Sequence, residues 1–112
     1  MKIAFSSAGI QWEDQIDPRF GRAEYFFIYD EDKDIVSFLD NTDVVNEAHG
    51  AGPRTAQRLI AEKADVLITG NGPGGNAAMV LQRAGIDVYT GAAGMRVKEA
   101  YKAYKEEKLT KF

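Results

Sequence analysis

The stretch Ala64-Asp65-Val66-Leu67-Ile68-Thr69-Gly70-Asn71-Gly72-Pro73-Gly74-Gly75-Asn76-Ala77 decides how the chain is read. Val66, Leu67 and Ile68 run without polar alternation, the pattern of a strand covered on both faces. Four glycines and a proline follow, and then an apolar stretch with helical spacing begins. Gly70, Gly72, Gly74 and Gly75 allow backbone angles that other residues resist, and Pro73 suits the first turn of a helix. A strand–glycine–helix corner of this kind presents free N–H groups and a positive helix end. The functional cleft is expected there. The corner is not a P-loop, because Gly75-Asn76-Ala77 stands where Gly-Lys-Ser/Thr is needed. It is not a dinucleotide fingerprint either, since the next strand, Ile86 to Tyr89, carries no acid at its end.

Upstream, Ile3 to Ser6 reads as the first strand. Tyr25-Phe26-Phe27-Ile28-Tyr29 and Ile35-Val36-Ser37-Phe38-Leu39 read as an antiparallel hairpin across the charged turn Asp30 to Asp34. Asp17-Pro18-Arg19-Phe20-Gly21-Arg22-Ala23 looks like a fixed turn. Trp12 is expected to anchor its loop, half-buried. Asn41 to Gly52 reads as a loop, and Pro53 as the opening of a helix. Downstream, Ala77, Ala78, Leu81 and Ala84 share a helical face, and Gly85 stands as a left-handed cap. Val97, Ala100, Tyr101 and Tyr104 stripe a third helix, with Leu109 and Phe112 closing its end. The predicted order is β-β-β-α-β-α-β-α, ending in a right-handed βαβα run with its strands parallel.

Composition limits the chemistry. The 112 residues suffice for one domain, 1–112, with one core. The formal charge of −3, with its cations scattered, does not favour a nucleic-acid surface. There is no cysteine, so disulfides, thiolate catalysis and Cys-ligated clusters are excluded. No stretch reaches membrane-spanning length and no signal peptide is evident, which points to the cytoplasm. One histidine, His49, cannot build a multi-histidine metal site within one chain. It can complete a metal whose other ligands come from elsewhere, as in a preformed cluster.

Three loops are expected to converge at one rim: Ser6 to Asp17, Asn46 to Pro53, and Gly70 to Asn76. They bring backbone N–H groups with Ser6, Ser7, His49, Asn71 and Asn76, and Arg19 and Arg22 close the set. These donors suit an anion. They offer little for catalysis: no residue is singled out as catalytic, and Asp14, Asp17, Asp40 and Asp43 read as solvated acids.

The same segments carry a resemblance. Met1-Lys2-Ile3-Ala4-Phe5, Pro18-Arg19-Phe20-Gly21-Arg22-Ala23, His49-Gly50-Ala51-Gly52, and Thr69 to Pro73 with Asn76-Ala77 stand in the order of the dinitrogenase iron–molybdenum cofactor biosynthesis family. The chain resembles the small single-domain proteins of that family, relatives of nitrogenase accessory factors that carry the cofactor or its precursor. The resemblance implies a three-layer α/β/α, ribonuclease H-like fold. Its mixed sheet has five strands, the second antiparallel to the rest. It also implies a carrier for an iron–sulfur or iron–molybdenum type cluster supplied preformed, with a cluster-assembly protein as partner. Where the family usually has a cluster-holding histidine, this chain has Arg19, which cannot ligate a metal. The ligand role then falls to His49. Gly50, Gly52, Gly70, Asn71, Gly72, Gly74 and Asn76 line the cofactor, and Arg19 and Arg22 hold its charge. The alternatives are an enzyme acting on a small anionic metabolite at the same corner, and an assembly or regulatory module acting through a protein partner.

Overall fold

A computed structural model describes residues 1–46 and 50–112. His49, the expected metal ligand, lies outside the described residues. The chain forms β1 (Lys2–Ser7), β2 (Tyr25–Asp30), β3 (Ile35–Asp40), α1 (Thr42–Val45), α2 (Ala51–Ala61), β4 (Val66–Ile68), α3 (Gly75–Arg83), β5 (Asp87–Thr90), α4 (Val97–Lys105) and β6 (Thr110–Lys111). The strands make one sheet in the order β3-β2-β1-β4-β5-β6.

β1, β4 and β5 are parallel, as the βαβα pattern requires. The hairpin forms as expected, with Phe27 opposite Phe38 and Ile28 opposite Ser37. The expected sheet needs two corrections. Among the described residues there are six strands, not five, because Thr110 pairs with Thr90 and Lys111 with Tyr89. The second strand is also not alone in its direction, since β6 runs antiparallel to β5. Both corrections come from two exposed residues, too few to show a period. Similarly, α1 is a single turn inside the expected loop, and α2 begins at Ala51, two residues ahead of Pro53.

Each face of the sheet has its own core. Ala4, Phe26, Ile28 and Leu67 meet Ala56 and Leu59 of α2 and Ala77 and Leu81 of α3. On the other face Phe5, Phe27, Val66 and Ile68 meet Val97 and Ala100 of α4. The result is helix, sheet, helix. The apolar residues of β1 and β4 are buried on both sides, which explains their unbroken runs. Trp12 anchors its loop as expected: its ring lies 4.7 Å from that of Phe27 and 5.8 Å from that of Tyr101. Among the described residues, no helix is long and apolar enough to cross a membrane.

Candidate functional site

β1 and β4 end at the same rim, and the loops that leave them touch. The Asn71 N–H donates to the carbonyl of Pro18 at 2.8 Å. A Cβ on Gly70 would sit 2.6 Å from Pro18 Cα and 3.1 Å from Ala93 Cβ. A Cβ on Gly21 would sit 3.0 Å from both Cα and N of Gly52, and one on Gly52 would sit 3.3 Å from Ala77 Cβ. The turn after β1, the start of α2 and the start of α3 are therefore in contact. The chain brings Arg19, Gly21, Gly52, Gly70 and Asn71 to one region.

Buried polar groups fix this region. Ser6 Oγ donates to the carbonyl of Asp17 at 2.7 Å and lies 2.8 Å from Thr69 Oγ1. Both hydroxyls are fully buried, so Ser6 braces the rim from below and does not face a guest. Ser7 is buried as well and donates to Gly9 O at 2.6 Å. Asp17, expected to be solvated, is 8% exposed. Its Oδ1 accepts from the Arg19 backbone N–H at 2.9 Å and from Arg19 Nε at 3.2 Å. The Asp-Pro-Xaa spacing is that of an Asx turn and was the available signal. The hydrogen bond that Arg19 donates to Asp17, and then the Asp17 charge, raise the Arg19 pKa further above its ordinary value. The Arg19 side chain nevertheless stands 62% exposed, a fixed cation at the edge of the rim. Arg22 Nη1 donates to Val45 O, at the end of α1, at 2.5 Å. Asn41 holds the same wall, donating from Nδ2 to Ala23 O at 3.0 Å and to Thr55 Oγ1 at 3.1 Å.

The four glycines of the corner differ in role, which sequence alone did not separate. None has a positive φ. Gly70 and Gly72 give way to close neighbours: Pro18 for the first, and for the second the ring of Phe112, which a Cβ would meet at Cε1. Phe112 thus caps part of the corner rather than closing the last helix. Among the described residues, Gly74 and Gly75 have no neighbour within 4 Å of an added Cβ. Gly74 has φ −63° and ψ 165°, angles open to any residue. It is the N-cap of α3, and among the described residues no side chain caps that helix. The first-turn N–H groups, including that of Asn76, have no partner within the helix. Asn71, Gly72, Gly74, Gly75 and Asn76 are all exposed. At the start of α2, Gly50 is the N-cap with φ 78°, the left-handed region that glycine tolerates. Pro73 stands just before α3 rather than in its first turn. Among the described residues, no three His, Cys, Asp or Glu side chains gather as metal ligands.

Comparison with known proteins places this architecture. A family model described as dinitrogenase iron-molybdenum cofactor matches residues 1–107. The apo form of the orange protein from Desulfovibrio gigas is 33% identical, with 99% of this chain and 92% of that one covered and a TM-score of 0.93. A NifB-type protein of the DUF35 family from Thermotoga is 37% identical, with coverage of 98% and 91% and a TM-score of 0.85. None of the curated proteins matches the chain.

Proposed function

Because the chain belongs to the dinitrogenase iron-molybdenum cofactor family, we propose that it is a non-catalytic carrier of an anionic metallocluster, of iron–sulfur or iron–molybdenum type, received preformed. The observation that carries this reading is the bare backbone at Gly74 and Gly75. Among the described residues, neither their φ angles nor a packed neighbour calls for glycine there, and the N-cap position of Gly74 would accept a polar side chain equally well. An uncapped helix end with open space above it suits a bulky anion approaching N–H groups directly. The start of α2 lies beside it through the contact of Gly52 with Ala77, and adds a second positive end. In this reading Gly50, Gly74 and Asn76 present the N–H groups of the cradle, and Gly52, Gly70, Asn71 and Gly72 shape the backbone behind them. Arg19 supplies charge, Arg22 steadies the wall, and His49 supplies the imidazole ligand. The proposal includes a cytoplasmic setting, whose reducing conditions suit sulfide-bridged clusters, and an assembly protein as donor. We also read β3-β2-β1-β4-β5 as a ribonuclease H-like core that β6 extends.

The test is anaerobic titration of the whole protein with a preformed iron–sulfur cluster, followed by its visible absorption. A stoichiometric complex is expected. Gly74→Val should weaken binding about tenfold, equivalent to about 1.4 kcal/mol, at a cost of about 1 kcal/mol in stability because valine is a poorer N-cap than glycine. His49→Ala should weaken it as well and alter the charge-transfer bands. No complex at micromolar protein, or a complex indifferent to Gly74→Val, overturns the proposal.

A further inference from the structure

Asn71 and Gly72 form an Asn-Gly pair within the corner. Such a pair carries a reaction of its own. The backbone nitrogen of the second residue can attack the carboxamide carbon of the first, and glycine leaves that nitrogen unhindered because it has no Cβ. A folded chain blocks the attack by burying the amide, by tying it into hydrogen bonds, or by fixing the backbone in a helix or strand.

At Asn71-Gly72 none of these guards is in place. Both residues are exposed, and both lie between β4 and α3, outside either element. Among the described residues, the Asn71 carboxamide makes no hydrogen bond and the Gly72 N–H donates none. The Asn71 N–H is held by the carbonyl of Pro18 at 2.8 Å. That contact anchors the loop on its upstream side and leaves the side chain and the next peptide able to turn toward each other. The other asparagines are placed differently. Asn41 is fully buried, with Nδ2 donating to Ala23 O and Thr55 Oγ1. Asn76 lies in the first turn of α3 and precedes Ala77, which is buried. Asn46 precedes Glu47, whose side chain hinders attack.

We propose that Asn71 is a site of spontaneous deamidation that changes the charge of the rim. The Gly72 nitrogen bonds to Asn71 Cγ, the Cγ–Nδ2 bond breaks, and ammonia leaves with the proton that the Gly72 nitrogen gives up. The succinimide ring then takes up one water. Opening at one carbonyl gives aspartate, and opening at the other gives isoaspartate, whose main chain is one methylene longer. Either product sets a carboxylate in the loop that runs from the Pro18 contact to the N-cap of α3. The effect on a guest rests on the carrier reading above: the new charge repels an anionic cluster, and a bound cluster shields the loop from the reaction.

The experiment incubates the whole protein, without cluster, at mildly alkaline pH and maps the products by peptide mass spectrometry and enzymatic methylation of isoaspartate. Conversion is expected at Asn71 ahead of Asn41, Asn46 and Asn76. Its rate should lie within about tenfold of that in the urea-unfolded chain, because an exposed loop opens at little cost. It should rise with pH, since the nitrogen attacks after losing its proton. Gly72→Ala should slow it, with the half-exposed Phe112 ring giving way to the methyl group. Conversion at Asn71 only after unfolding overturns the proposal, as does a rate that Gly72→Ala leaves unchanged. Asn71→Asp reads the charge effect. It should bind a preformed iron–sulfur cluster roughly fivefold more weakly than the parent, the size of one like charge near a surface. Equal binding overturns that effect. A parent protein that takes up no cluster refutes the carrier reading and the charge effect with it, while the mass measurement still decides the covalent step.

Discussion

Gly70 and Gly74 stand four residues apart in one turn, and opposite reasons account for them. At Gly70 the chain cannot accommodate a side chain, because the nearest atom is backbone: Pro18 Cα, 2.6 Å from an added Cβ. Gly70→Ala should therefore cost about 1–3 kcal/mol in urea unfolding, the usual penalty of overpacking. At Gly74 the φ is ordinary and the space is open. Because Gly74 is the N-cap, Gly74→Ser should keep or slightly raise stability by capping the helix and restricting the unfolded chain, whereas an apolar side chain there should cost about 1 kcal/mol. Ser6→Ala tests the brace beneath. It would leave Thr69 Oγ1 and the Asp17 carbonyl buried without this partner, a loss of about 1–3 kcal/mol. A loss under half that size would mean that Thr69 turns to take the carbonyl itself.

At the scale of elements, the hairpin and α4 are joined by Glu31. Its Oε2 accepts from Tyr101 Oη at 2.5 Å and from Lys105 Nζ at 3.0 Å. The hydrogen bond from Tyr101 is the largest influence and holds the Glu31 carboxyl below its ordinary pKa; partial burial opposes this, and Lys105 adds to it. The Tyr101 hydroxyl is pushed well above its ordinary value, chiefly by burial and then by Glu31. A depressed carboxyl stabilises the fold above its unfolded pKa and loses that contribution as pH falls through the folded value. Glu31→Gln should thus lower Tm at pH 7 by roughly 4 °C, for a charged contact of about 1 kcal/mol between a mostly buried carboxylate and a half-exposed lysine. The gap from the parent protein should close as the solution is acidified below the ordinary carboxylate range. A gap that does not depend on pH would assign the effect to packing rather than charge. α4 also opens with half of a capping box: the Arg96 N–H donates to Glu99 Oε1 at 2.9 Å.

For the molecule as a whole, the sheet is shared between two cores. Ala4 and Leu67 serve the α2/α3 side, and Ile3, Phe5, Val66 and Ile68 serve the α4 side, all from the two central strands. Neither side can melt without exposing the other's floor. The fluorescence of Trp12, which reports the α4 face, should therefore lose its native value at the same urea concentration as the far-ultraviolet dichroism. A single transition with a slope of about 1–1.5 kcal/mol/M is expected. Separate midpoints would show that the two layers unfold independently. The Cα radius of gyration, 12.3 Å, is close to the roughly 13 Å expected for this length. The carboxyl rim therefore rests on a tightly closed body.

Local pattern alone determined most of the architecture. Val66 to Ile68, Tyr25 to Tyr29 and Ile35 to Leu39 declare strands because backbone and side-chain period are local properties. Gly85 declares a left-handed cap and has it, with φ 78°. The meeting of the Pro18, Gly52 and Gly70 turns was foreseeable once the strands were taken as parallel, because parallel strands send their loops to one end. Other features depended on distant residues and left no local mark. β6 exists only because Tyr89 and Thr90 offer an edge to two residues that have no pattern of their own. Asp17 is buried only because Ser6 and Arg19 reach it from either side. Gly72 has the ring of Phe112, forty residues later, lying on it, whereas Gly74 has nothing above it among the described residues. A sequence records which residues are small; only the packed chain shows what occupies the space they leave.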